Sequence, residues 1–119
     1  MLVQIVEREI GNRMDKKISE VLSELRVAFE ALYGERLVRM VLFGSQARAD
    51  AEEGSDIDVL VVLKGPVDSG EEIARTGTIV ADLSLRFNEV ICCVFMDDSR
   101  FSSRNGPLLR NIRKEGVAV

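Results

Sequence analysis

The chain has 119 residues, 46% hydrophobic and 30% charged, a balance that fits one soluble domain with one buried core. Its formal charge of −4 argues against broad, sequence-independent nucleic-acid binding, which needs a basic surface to neutralise phosphates. The absence of histidine excludes Ser-His and Cys-His hydrolase mechanisms and histidine-ligated zinc, and leaves carboxylate–metal chemistry open.

Met1 to Ile10 is apolar with scattered charge, and Gly11 and Asn12 interrupt it. Residues 1–14 are read as an N-terminal arm of uncertain role, an oligomer (homo-oligomer) or partner contact. Glu7, Arg8 and Glu9 argue against a signal peptide, and no run approaches the length of a membrane-spanning helix. A cytoplasmic protein without membrane contact is therefore expected. From Asp15 the pattern clears: Ile18, Val21, Leu22, Leu25, Ala28, Phe29 and Leu32 recur at three and four residues, an amphipathic helix ending near Tyr33-Gly34. Met40 to Phe43 is a short apolar run stopped by Gly44, and Ile57 to Leu63 is another, rich in branched residues; both read as strands in the middle of an α/β sheet. After the stop at Lys64-Gly65-Pro66, Asp68 or Ser69 caps a second helix carrying Glu71, Glu72, Ile73, Val80, Leu83 and Leu85, weakened at Gly77 and closed by Phe87 and Asn88. Val90 to Met96 reads as a third buried strand, followed by a polar turn through Asp97, Asp98 and Ser99. A last helix runs from Pro107 to Glu115, with Gly116 beyond its end and Arg110, Arg113 and Lys114 near a C-terminus whose dipole favours cations. Cys92 and Cys93, adjacent and without metal-site spacing, read as buried, reduced thiols.

Chemistry gathers where the first strand ends and the second begins. Asp56 and Asp58 leave the same face of a strand, with about 6 to 7 Å between Cα atoms. Two carboxylates that close repel by about 2 to 3 kcal/mol at an effective dielectric near 20, which a cation between them would remove. Hard oxygen ligands favour Mg²⁺ or Mn²⁺, and a strand-borne pair can hold two ions about 3.5 to 4 Å apart, the clamp of in-line phosphoryl and nucleotidyl transfer. Gly44 lets backbone amides approach an anion, and Ser45 suits a helix N-cap ahead of Gln46, Ala47 and Arg48. Asp50, Glu52 and Glu53 read as a solvated acidic loop.

Gly44-Ser45-Gln46-Ala47-Arg48, followed by Gly54-Ser55-Asp56-Ile57-Asp58, resembles the signature of minimal nucleotidyltransferases, small members of the polymerase-β-like nucleotidyltransferase superfamily. Their pattern is G-S-x-A-R, a short loop, then S-D-x-D opening an apolar strand, and each defining residue is present at the expected spacing. The resemblance implies the α/β nucleotidyltransferase fold, a small mixed β-sheet flanked by helices, over a single domain 1–119. It implies two Mg²⁺ ions, or Mn²⁺, held by Asp56, Asp58 and a third carboxylate from the next strand. Glu89 is either that third carboxylate or an exposed strand-end charge; Asp97 and Asp98 lie about 25 Å away along an extended strand. An NTP, expected to be ATP, would rest its phosphates on Gly44 and Ser45 with Arg48 as a further contact, while Ser55 either touches the nucleotide or turns the chain. The implied reaction moves a nucleoside monophosphate, AMP by expectation, to a hydroxyl of a separate protein, a HEPN-domain toxin for which this chain is the antitoxin. A binding module that neutralises its partner by contact, an antibiotic nucleotidyltransferase and a nucleotide or metal sensor are the alternatives.

Overall fold

The computed structural model describes residues 16–48 and 54–119. The expected arm at 1–14, the helix start at Asp15 and the acidic loop residues Asp50, Glu52 and Glu53 lie outside them. The first helix, α1 (Lys16–Tyr33), buries Ile18, Val21, Leu22, Leu25, Phe29 and Tyr33, the stripe expected from its periodicity, though Leu32 stays exposed. A 3-10 turn at Gly34–Arg36 delivers the chain to β1 (Leu37–Phe43), which runs into the one-turn helix α2 (Ser45–Arg48). Then come β2 (Ile57–Leu63), α3 (Ser69–Phe87), β3 (Ile91–Asp97), α4 (Asp98–Ser103), α5 (Pro107–Glu115) and β4 (Val117–Ala118). The expected cap holds α3: the Asp68 side chain accepts from the Glu71 amide at 3.0 Å, and Asn88 ends the helix in the left-handed region at φ 53°.

The sheet is mixed, in the order β3-β2-β1-β4. β1 is antiparallel to β2 and β4, and β2 is parallel to β3, a pairing that needs the long crossover α3 supplies. Strand alternation sorts the core into two layers. Val59, Val61 and Leu63 of β2 join Met40, Leu42, Ile91 and Phe95 in a large cluster with the buried faces of α1 and α3. Leu60 and Val62 face the other way, in a smaller cluster with Leu109 and Ile112 of α5, against which Phe101 of α4 packs. By the same alternation Asp58, which pairs with Cys92 across the parallel strands, belongs to the second side of the sheet. There it is half-buried.

The structure departs from the sequence reading in several places, among them β3, which starts at Ile91 rather than Val90 and is only partly buried, with Val94 exposed. The polar turn after β3 is helix α4, because the Asp97 side chain caps it by accepting from the Arg100 amide at 2.7 Å. Val117–Ala118 adds a fourth strand along β1. On α3 the apolar Ile73 and Leu85 face solvent, whereas Glu72 and Thr76 are buried. Cys92 and Cys93 are free thiols, as expected, but only partly buried. Among the described residues no helix is long and apolar enough to cross a membrane.

Candidate active site

Phe43, the last residue of β1, pairs with Asp58 on β2, so the turn that follows β1 starts beside the second aspartate. Gly44 takes φ +76°, and a Cβ there would stand 2.5 Å from Asp58 Oδ2. Backbone conformation and close approach both require glycine at this position. Its carbonyl accepts from the amides of Ala47 and Arg48, each at 3.2 Å, and opens α2. Ser45 is therefore the first residue of the helix rather than its cap. One turn sums few peptide dipoles, so attraction for an anion at this end rests on individual amides rather than a macrodipole. The Gln46 side chain, buried under the turn, donates from Nε2 to the Ser55 carbonyl at 3.4 Å and ties the Gly-Ser turn to the segment entering β2. Arg48 lies 3.5 Å from Glu115 and links α2 to the end of α5.

Asp56 is exposed, Asp58 half-buried, and one ligand atom from each of Asp56, Asp58 and Cys92 lies within 4.8 Å of the others. The Cys92 thiol points at Asp56 Oδ2 across 3.6 Å. Burial, then the charge of Asp56, pushes the Asp58 carboxyl above its ordinary pKa. Burial also raises the Cys92 thiol, with the charge and hydrogen bond of Asp56 and the charge of Asp58 adding to it. Both shifts owe most to burial, and a smaller share to the negative charge gathered at the strand mouth. The donor set, two carboxylates converging at a solvent-accessible strand mouth, fits a divalent cation.

Glu89 is not in this cluster. It precedes β3, and its carboxylate pairs with Lys17 of α1 at 3.0 Å. Asp97 sits at the opposite end of β3, paired with Leu63 and occupied in capping α4. The residue that sequence reasoning missed is Cys92. Its signal was strand parity: in the parallel register Asp58 pairs with Cys92, a register that the sequence of β3 alone does not carry.

A family model for the nucleotidyltransferase domain matches residues 11–115. The chain belongs to this family. Curated relatives of the nucleotidyltransferase include a Methanocaldococcus jannaschii chain named "Putative protein adenylyltransferase MJ0604", 33% identical over 82% of this chain and 92% of the relative. A solved toxin–antitoxin structure with AMP-PNP superposes at a TM-score of 0.54 and 21% identity over 77% of this chain and 67% of that one. A mutant of the toxin–antitoxin MntA-HpeT superposes at 0.54 and 20% identity over 82% and 70%. At that identity the likeness to solved structures is one of fold, and it agrees with the mixed sheet flanked by helices.

Two glycines of the nucleotidyltransferase make a direct comparison. Gly44 and Gly54 both have positive φ, +76° and +86°, but a Cβ at Gly54 would meet nothing within 4 Å among the described residues. Each alanine substitution should cost about 1 to 2 kcal/mol of stability through the left-handed backbone. Only Gly44→Ala also displaces the Asp58 carboxylate. Thermal melts should therefore shift alike, while nucleotidyl transfer falls at least about tenfold further in Gly44→Ala, as 1.4 kcal/mol of misplacement at the reacting centre would produce.

Proposed function

We propose that the nucleotidyltransferase, with Mg²⁺ or Mn²⁺, moves AMP from ATP to a hydroxyl on a separate protein, the hydroxyl oxygen bonding to the α-phosphorus as the bond to the β-phosphate breaks and pyrophosphate and a proton leave, and that this acceptor is a HEPN-domain toxin. The observation carrying the reading is the convergence of Asp56 and Asp58 on one mouth of the sheet, with the Gly44 turn so close to Asp58 that no side chain fits between. The name of the Methanocaldococcus relative supports protein adenylylation, and the toxin–antitoxin structure with AMP-PNP supports the nucleotide and the partner class.

In this reading Asp56 and Asp58 hold the cation. A cation held there would offset the charge that develops at the α-phosphate and would lower the pKa of the acceptor hydroxyl. Gly44 and Ser45 present backbone amides to the β- and γ-phosphates, with no side chain on Gly44 to hold them off. Gln46 fixes the distance between that turn and the aspartates through the Ser55 carbonyl, the role assigned to Ser55 here. Arg48, in the same turn, contributes positive charge to the phosphate end. Glu89 steadies the entrance to β3 through Lys17.

One observation favours the runner-up, a module that neutralises its partner by contact: the metal-ligating cluster among the described residues contains two carboxylates, not three. Incubation with α-labelled ATP, Mn²⁺ and a purified HEPN protein separates the two. Label on a tyrosine of the partner, located by mass spectrometry, is the expected result. A tight complex that takes up no label would leave the contact reading in possession.

A further inference from the structure

The place in the cluster where a third carboxylate is expected holds a sulfur. We propose that Cys92 is the third ligand of the cation site and that, with it, the site prefers a thiophilic divalent ion of the Zn²⁺ type over Mg²⁺. This rests on the reading that Asp56 and Asp58 hold a cation and concerns which ion the site binds most tightly; the reaction proposed above still runs on Mg²⁺ or Mn²⁺ supplied in excess. Cys92 is the register partner of Asp58 on the neighbouring strand, so the two side chains leave the same side of the sheet next to each other. Its Sγ lies 3.6 Å from Asp56 Oδ2, and the three donor atoms fall within 4.8 Å of one another. Ligands bound to one ion at about 2.0 to 2.3 Å stand roughly 3 to 4.5 Å apart, so small side-chain rotations bring all three onto it.

Softness decides the preference. Carboxylates and water suit Mg²⁺ and Mn²⁺, whereas a thiolate adds affinity for Zn²⁺, Co²⁺ or Cd²⁺ and almost none for Mg²⁺. With no histidine in the chain, soft donors come from cysteine above all, and the other one, Cys93, points to the opposite side, where it packs against the core under α1 and α3. An S–H···carboxylate contact to Asp56 would by itself place the sulfur similarly, but such a bond is weak. Serine keeps that donor and loses the soft ligand, so substitution separates a hydrogen bond from a metal bond.

The test is titration of the metal-free full chain with Cd²⁺ and Co²⁺ alone, followed by thiolate-to-metal charge-transfer absorption, with Zn²⁺ and Mg²⁺ as competitors and no nucleotide present. The wild type should show the band at one ion per chain. Zn²⁺ should abolish it at concentrations at least about a hundredfold lower than Mg²⁺ requires, in keeping with the ranking of metals at sulfur sites. Cys92→Ser should lose the band and most of the Zn²⁺ affinity while keeping that for Mg²⁺. Cys92→Asp should lose the band and gain affinity for Mg²⁺, and Cys93→Ser should keep it. Absence of the band in the wild type, its survival in Cys92→Ser, or its loss in Cys93→Ser would each overturn the assignment. A chain that shows the band yet labels no acceptor contradicts only the proposed reaction. One that labels its acceptor equally well as Cys92→Ser and shows no band contradicts only the role of the sulfur.

Discussion

Asp58→Asn is expected to lower nucleotidyl transfer by about three orders of magnitude, the loss that follows from removing several kcal/mol of charge stabilisation at the transition state. The same substitution should leave the melting temperature unchanged or slightly higher. Burial and the neighbouring Asp56 already disfavour the charged form of Asp58 in the cation-free fold, and asparagine removes that repulsion while nearly keeping the shape. A group that destabilises the fold yet is needed for turnover is a common trade between stability and activity at a working site. Asp56→Asn should match the loss of transfer with a smaller change in melting temperature, because Asp56 is exposed and sheds less strain. Label transfer and calorimetry on the same preparations make the check. Wild-type rates in either variant would remove the carboxylate pair from the mechanism.

The same pair shows how far the sequence could be read. β1, β2 and the junction between them were legible because the apolar runs are dense and local, and because Gly44 and the Asp56-Ile57-Asp58 spacing state their geometry within a few residues. α5 was legible to its ends, since Pro107 and Gly116 mark both of them. α4 was not: its start depends on one aspartate side chain folding back on an amide, and Asp97 reads equally well as a polar turn. Two residues of β4 are too short for any periodicity, and their strand identity comes entirely from lying beside Val41 and Leu42. Glu89 and Cys92 are separated by parity and register. Whether a residue near β3 meets Asp58 or α1 depends on how β3 aligns with β2, a relation between segments joined only through α3. The burial of Glu72 was equally invisible, since its partner Tyr33 lies 39 residues away in the chain.

Glu72 carries the largest expected effect on stability. It is 1% exposed on α3, and its carboxylate accepts from Tyr33 Oη at 2.7 Å, Arg75 Nε at 3.0 Å and an Arg36 guanidinium nitrogen at 3.3 Å. One buried acid thereby joins the end of α1, the 3-10 turn entering β1 and the first turns of α3. Burial acts to raise its pKa, but the hydrogen bonds from Tyr33 and Arg36 and the charges of Arg75 and Arg36 outweigh it, so the carboxyl lies below its ordinary value. Glu72→Leu fills the space but leaves the buried Tyr33 hydroxyl without its acceptor. We expect a loss of about 2 to 3 kcal/mol, less than for a fully enclosed ion pair because both arginines keep access to water. For a domain of this size that lowers the melting temperature by roughly 10 °C. The dependence on pH has a definite sign. A carboxyl whose folded pKa is depressed stabilises fully above its unfolded pKa, near 4.3 for glutamate, and that contribution fades as pH falls through the folded value. The gap in melting temperature between wild type and Glu72→Gln, which keeps the shape without the charge, should be constant from neutrality down to about pH 5 and close below about pH 4. A gap that widens on acidification would mean that Glu72 is held protonated, and that the two arginines contribute nothing to its burial.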